Sequence, residues 1–269
     1  MKVGCSTWSF HRTLGAKEMT LKEWIEYCAK HYRLDGVELL ADHFESEEPE
    51  YLLEIKNLCT ELGLTISCVS PSNNFTQEDI KAVEKEIEYV KAWVDIAAML
   101  GAPLVRIFAG SSNQLKNEQI WNNVVVAIQE CAEYASEDGI MLALENHGGF
   151  MDDQILKLIE DVDKDNFKVT MDLGNFGKDP NIIYKAMENV VSHTIFVHAK
   201  CMSFTDNLHE ETLDYERIIK ILDKAGYNGF LSIEFEGKGM EKTEVAKAVS
   251  MLRHLTGLAH RDQVNKMLE

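Results

Sequence analysis

Ala135-Ser136-Glu137-Asp138-Gly139-Ile140-Met141-Leu142-Ala143-Leu144-Glu145-Asn146-His147-Gly148-Gly149 closes a long amphipathic segment on a glycine, crosses a short apolar run and ends in a carboxylate and a polar turn. Upstream, residues 118–137 have helical spacing of apolar positions. Asp138-Gly139-Ile140 places Gly where a left-handed helix cap is wanted, just before a strand-length run. The same turn recurs at Leu62-Gly63-Leu64, Leu100-Gly101-Ala102 and Ala225-Gly226-Tyr227. Working outward, strand-length apolar runs are expected at 2–6, 36–40, 65–70, 104–108, 141–145, 168–172, 194–199 and 230–234. Helical stretches are expected at 21–31, 51–62, 80–100, 118–137, 155–162, 182–190, 215–225 and 243–255, interleaved one to one with the strands.

Strands fed through helices must run parallel and be covered on both faces, which accounts for runs of Val, Ile and Leu with little polar alternation. Eight such units predict an α/β fold of the (β/α)8 TIM barrel type. A doubly wound open sheet would carry a Gly-rich phosphate turn after its first strand. That position reads Ser6-Thr7-Trp8-Ser9-Phe10, and no G-x-G-x-x-G or Walker sequence occurs. With no Pro/Gly/Ser-rich linker or close repeat, residues 1–269 are read as one domain.

The chain carries 27 Lys+Arg against 45 Asp+Glu, a formal charge of −18. Binding to phosphate backbones rests on clustered cations, so this balance argues against a nucleic-acid partner. Six scattered cysteines without a C-x-x-C pair read as reduced, buried thiols and point to the cytoplasm. No window approaches the roughly 18 uncharged apolar residues of a membrane span, and Met1-Lys2-Val3-Gly4-Cys5 enters a strand directly without a signal peptide's basic and apolar segments. No membrane partner is expected.

In a barrel of this kind chemistry sits at the carboxyl ends of the strands. The fifth run ends in Glu145, the sixth in Asp172, the seventh in His198-Ala199-Lys200 and the eighth in Glu234-Phe235-Glu236. One such residue alone is commonly a helix cap, an ion-pair partner or a satisfied core imidazole. Four in register at successive strand ends form a joint pattern that caps do not predict. Three carboxylates buried together need a cation, because repulsion and desolvation otherwise oppose their ionisation. Glu145, Asp172, His198 and Glu234 are therefore read as ligands of one divalent metal ion. Glu236, two residues further along the same strand face, competes for the fourth place. Oxygen-rich ligation with one imidazole suits Mn²⁺ or Mg²⁺ first, and admits Co²⁺, Fe²⁺ and Zn²⁺.

At these residues the sequence resembles the sugar phosphate isomerase/epimerase superfamily, the xylose isomerase-like TIM barrels. The likeness runs from Gly4-Cys5-Ser6-Thr7-Trp8-Ser9-Phe10 and Asp35-Gly36-Val37-Glu38-Leu39 through Leu213-Asp214-Tyr215 to Gly226-Tyr227-Asn228-Gly229-Phe230-Leu231-Ser232-Ile233-Glu234. It implies the same four ligands, with Glu234 favoured over Glu236. It also implies that Glu145 and Glu234 serve as an acid/base pair on opposite faces of an α-hydroxyketone, passing through an enediolate held on the metal. Arg106 matches a position used near substrate oxygens, with pairing to Glu145 as the plainer reading. His147 matches a base of the dehydroshikimate dehydratases, and Lys200 stands in the H-x-K pattern of inosose dehydratases, where a solvated Lys is the plainer reading. Asn175 stands where many relatives place a second His. An amide is a poor metal ligand, so a multi-zinc cluster and with it the apurinic-site endonuclease branch are disfavoured.

Trp8, Phe10, His11 and Phe108 are candidates for an apolar wall against a sugar, with Trp8, His11, Arg106 and Asn175 as the substrate-binding set. Glu38 is read as a structural ion pair. Lys178 and Lys238 lie on rim loops where a phosphate could be met, and residues 201–212, with His209, are long enough for a lid or a partner contact. The leading expectation is a metal-dependent isomerase or epimerase of a small ketose, keto-acid or related polyol. A dehydratase-type lyase using His147 or Lys200 is the first alternative, and a phosphodiesterase the remote one. A non-catalytic sugar-binding protein and a homo-oligomer are both compatible with the sequence.

Overall fold

Eight parallel strands close in sequence order, β1 through β8, with β8 hydrogen-bonded back to β1. This arrangement comes from a computed structural model that describes residues 1–257. The strands are β1 Lys2–Ser6, β2 Gly36–Leu40, β3 Thr65–Ser70, β4 Leu104–Ile107, β5 Met141–Glu145, β6 Phe167–Asp172, β7 Thr194–Cys201 and β8 Phe230–Phe235. Between them lie α1 His11–Gly15, α2 Leu21–Tyr27, α3 Pro49–Glu61, α4 Ile80–Leu100, α5 Glu118–Glu137, α6 Asp152–Val162, α7 Pro180–Val190, α8 Tyr215–Lys224 and α9 Glu241–Leu255. The expected (β/α)8 barrel is the fold.

Local sequence explains the boundaries. Helix α5 starts where Asn117 accepts hydrogen bonds from the amides of Gln119 and Ile120, and it buries Ile120, Val124, Ala127, Ile128, Cys131 and Ala135 along one stripe. Gly63, Gly101, Gly139 and Gly226 all take positive φ, between 68° and 76°, where a side chain would be strained. Among the departures, the first helical stretch ends early. Helix α2 stops at Tyr27, and the chain continues as one wide π turn, Cys28–Tyr32, closed by Arg33 at φ 53°. Strand β4 stops at Ile107, one residue short of the expected run, while β7 extends two residues past it to Cys201. The short turn Thr7–Phe10 and helix α1 were not expected. Ser6 caps that turn by accepting from the Trp8 amide at 3.2 Å, which sets Trp8 at the barrel mouth.

The interior of the barrel changes character along its axis. Its lower part is plugged by Cys68, Leu104, Ala143 and Phe196, with Met141, Ile195 and Phe230 packed against them. Two residues further along the same strand faces come Ser70, Arg106, Glu145 and His198. The larger apolar core lies between the strands and the helices. All six cysteines are buried and unpaired. Among the described residues no helix is long and apolar enough to cross a membrane.

Candidate metal centre and active site

Register places the cage. Asp172 sits beside His198 across β6 and β7, and Lys200 sits beside Glu234 across β7 and β8. Glu145, Asp172, His198 and Glu234 each bring one ligand atom into a group whose members all lie within 4.8 Å of one another. His198 Nδ1 faces Glu145 Oε2 at 3.5 Å, Asp172 Oδ2 at 3.7 Å and Glu234 Oε1 at 3.7 Å. All four residues are buried.

Two observations test whether a cation fits. His198 Nδ1 and Asp172 Oδ2 are buried without a hydrogen-bond partner, a costly arrangement unless something bonds to both. The electrostatics agree. Burial alone would push the carboxyls of Glu145 and Asp172 up, but His198 and, respectively, Arg106 and Lys200 outweigh it, and both are held below the usual range. Burial would likewise depress His198, yet Glu38, Glu234 and Glu145 raise it well above an ordinary histidine. The cage is a well for positive charge, and one divalent ion fits its donor set of three carboxylates and one imidazole.

The cage is braced from outside. Asp172 Oδ1 accepts from the Gly174 amide at 2.7 Å, leaving Oδ2 turned inward. Asn146 clamps the Asp172 backbone, accepting from its amide at 2.6 Å and donating to its carbonyl at 2.9 Å. Asn175 Nδ2 donates to Glu145 Oε1 at 3.2 Å. Arg106 Nε lies 3.2 Å from Glu145 Oε2, its Nη1 donates to the Pro71 carbonyl at 2.9 Å, and its guanidinium covers the Phe108 ring at 3.9 Å. The plainer reading of Arg106 and its place at the site hold together.

Above the cage a cavity of about 230 Å³ is lined by Trp8, Leu40, Asp42, Ser72, Arg106, Phe108, Glu145, His147, Lys200, Glu234 and Glu236. Lys200 is buried among carboxylates instead of solvated. It donates to Glu234, lies 3.1 Å from Asp172 Oδ2 and donates to Glu236 Oε1 at 2.9 Å. Burial would lower its pKa, but Asp172, Glu234, Glu236 and Glu145 raise it. Glu236 also accepts from Trp8 Nε1 at 2.9 Å, so it stands at the cavity wall while Glu234 joins the ligand group. His147 is exposed at the cavity and packs against Phe108 with the rings tilted 36° and their centroids 4.6 Å apart.

Several expected residues lie elsewhere. His11 stacks behind Trp8 at 4.7 Å, its Nδ1 bonded to the Trp8 carbonyl at 2.8 Å, and it is not among the residues lining the cavity. Phe10 is fully buried in the main core. Lys238 lines a separate groove with Arg12 and Met240, and Lys178 is exposed away from the cavity lining. The loop after β7 is pinned from within: buried Glu210 accepts from the amides of Met202, Thr212 and Leu213 at 3.0, 2.7 and 2.7 Å. Leu40, Asp42 and Ser72 were missed. Counting two residues on from Glu38 would have found Leu40 on the same strand face.

A family model, the xylose isomerase-like TIM barrel, matches residues 25–255. The chain belongs to this family. An uncharacterized protein of Methanocaldococcus jannaschii is 23% identical over 233 residues, covering 80% of this chain and 79% of that protein. The crystal structure of a D-tagatose 3-epimerase-like protein superposes with a TM-score of 0.77 at 20% identity, covering 97% of this chain and 99% of the other. A probable 3-DHS dehydratase from Bacillus anthracis, involved in petrobactin synthesis, superposes with a TM-score of 0.71 at 19% identity over 94% and 98% of the two chains. At these identities the likeness is one of fold. These two solved structures of the fold are named for different reactions, an epimerase-like protein and a probable dehydratase, so the fold leaves the reaction to the site's own residues.

Proposed function

We propose that the protein is a divalent-metal-dependent isomerase or epimerase of a small ketose, keto-acid or related polyol. The observation that carries this reading is that Glu145 and Glu234 both belong to the buried group that could hold a metal ion and both line the cavity, from strands separated by β6 and β7. A divalent ion bound there would supply positive charge to a developing oxyanion on the substrate. A carbonyl compound bound between Glu145 and Glu234 would have a carboxylate on each side, one to take the proton from the carbon beside the carbonyl and the other to return it to the opposite face. Asn175 and Arg106 hold Glu145 in place, and Lys200 holds Glu234. The cavity's two cations are already engaged, Arg106 with Glu145 and Lys200 with three carboxylates, while Asp42 and Glu236 add negative charge to the wall. Such a lining favours hydroxyl-rich, unphosphorylated substrates.

A second reading, a lyase, is supported by His147. Its imidazole is exposed at the cavity beside Phe108, where it could protonate a departing hydroxyl that an epimerase never expels. A panel of ketoses and keto-acids incubated with Mn²⁺, Mg²⁺ or Co²⁺ in D₂O separates the two. Deuterium beside the carbonyl with the carbon skeleton and hydroxyl count retained supports the epimerase. Loss of water with new ultraviolet absorbance from a conjugated enone supports the lyase. Metal-loaded protein that does neither across the panel leaves a sugar-binding protein and sinks both.

A further inference from the structure

Beneath the cage lies a carboxylate that the chemistry above does not use. Glu38 is fully buried at the middle of β2, across the barrel from β7. Its Oε1 accepts from Ser70 Oγ at 2.7 Å and lies 2.9 Å from His198 Nε2, and its Oε2 accepts from Ser232 Oγ at 2.7 Å. These partners come from β3, β7 and β8, so the carboxylate plane is fixed from three directions.

The direction of the histidine bond follows from what each nitrogen faces. A neutral imidazole carries one N–H, and a ring nitrogen can bond a cation only through its lone pair. With a divalent ion held among the three carboxylates that Nδ1 faces, Nδ1 must offer its lone pair, so the ring's one hydrogen sits on Nε2, where it needs an acceptor. An ionised Glu38 can only accept, and two serine hydroxyls hold it in that role. Metal-bound histidines commonly donate their second nitrogen to a carboxylate in this manner, and losing such a partner typically costs about 10- to 100-fold in metal affinity.

We infer that Glu38, oriented by Ser70 and Ser232, is a positioning residue that selects the Nε2–H form of His198 and thereby sets the affinity of the site for a divalent cation. This rests on the metal reading of the cage. It differs from the bare ion pair expected from the sequence, because a charge partner alone has no need of a defined ring nitrogen or of two hydroxyls on one carboxylate. It also extends the functional unit to strands β2 and β3, which contribute no ligand.

The test is calorimetric titration of Mn²⁺ into the full chain as wild type, Glu38→Gln, Ser232→Ala, His198→Gln and the Glu38→Gln/His198→Gln double variant, with circular dichroism to confirm folding. Glu38→Gln is expected to weaken Mn²⁺ binding about 10- to 100-fold, because its amide can donate to Nε2 and force the hydrogen onto Nδ1. Ser232→Ala should weaken it by roughly 3- to 10-fold, the scale of one hydrogen bond. In the His198→Gln background, Glu38→Gln should cost little more. Unchanged affinity in Glu38→Gln, or an equal loss with and without His198, overturns the inference while leaving the metal reading standing. Wild-type protein that takes up no divalent ion overturns both. Should Glu38→Gln fail to fold, the Ser70→Ala/Ser232→Ala double variant carries the test, with wild-type affinity again the overturning result.

Discussion

Strands β5–β8 and strands β1–β4 open on one cavity and supply it with opposite things. The second half of the barrel delivers Glu145, Asp172, His198, Lys200 and Glu234, all titratable and all within strands. The first half delivers Trp8, Leu40, Ser72 and Phe108 as walls, mostly from the turns that follow its strands, together with the supporting Arg106, Glu38 and Ser70. Ligands on adjacent paired strands are fixed by ladder hydrogen bonds, which suits a cage that tolerates little displacement. Walls on turns can change without disturbing that cage, which is how one barrel accommodates many substrates.

On this division, a change in the second half should remove metal and chemistry together. Asp172→Ala takes away a proposed ligand and leaves Lys200 without one of its partners. Mn²⁺ should no longer copurify by elemental analysis, and turnover of whichever ketose shows solvent exchange should fall on the order of 10³-fold or more, the scale of losing an oxyanion stabiliser. Full metal content in this variant would break the comparison at its base.

Lys200→Met sharpens it, because here metal and chemistry should part. Removing a positive charge beside Asp172 and Glu234 leaves the ligand set more negative, so Mn²⁺ should bind as tightly as in wild type or tighter. Turnover should still drop by about 10²- to 10³-fold, since the group that holds Glu234 is gone. A lysine that merely props the barrel would weaken metal binding instead, and titration beside steady-state rates tells the two apart.

Phe108→Ala probes the other half. Its ring lies under Arg106 and against His147, so its loss should raise KM by about 5- to 30-fold, corresponding to a cation–π and ring-contact contribution of roughly 1–2 kcal/mol, with metal content intact. A fall in kcat matching the rise in KM would mean that this wall also orients the reacting groups.

How much of this was legible in the sequence follows the same boundary. The β5–β8 cluster could be read because each of its members ends an apolar run, and the barrel's order could be read because glycine stops separate helix from strand at four αβ turns. Contacts that depend on closure could not. Glu38 meets His198 only because the barrel folds β2 across from β7, a pairing with no local signature. Solvation is the plainer of the two readings of Lys200 in the sequence because its burial depends on a neighbour: a Cβ on Gly174 would stand 2.6 Å from Lys200 Cγ, so the bare backbone there makes room for the side chain. His11 looked like a wall residue because the capped turn Thr7–Phe10, which swings it behind Trp8, has no strong helical pattern. The end of α2 was misplaced because the π turn keeps apolar residues buried at the spacing of a longer helix.

The smallest expected effect isolates scaffold from site. Gly139 takes φ 68° between α5 and β5, and a Cβ built there meets nothing within 4 Å. Gly139→Ala therefore costs only the left-handed backbone, about 1 kcal/mol, which for a chain of this size lowers Tm by roughly 2–4 °C. The residue stands at the entrance to β5 and Glu145 at its exit, with Leu142, Ala143 and Leu144 buried between them. Close packing along that strand should confine the strain to the lower end, leaving Mn²⁺ affinity and KM at wild-type values while the thermal transition moves. A shift in metal affinity that accompanies the loss of Tm would show that the apolar plug and the polar cage respond as one body, and that the contrast between the two halves matters less than the coupling along each strand.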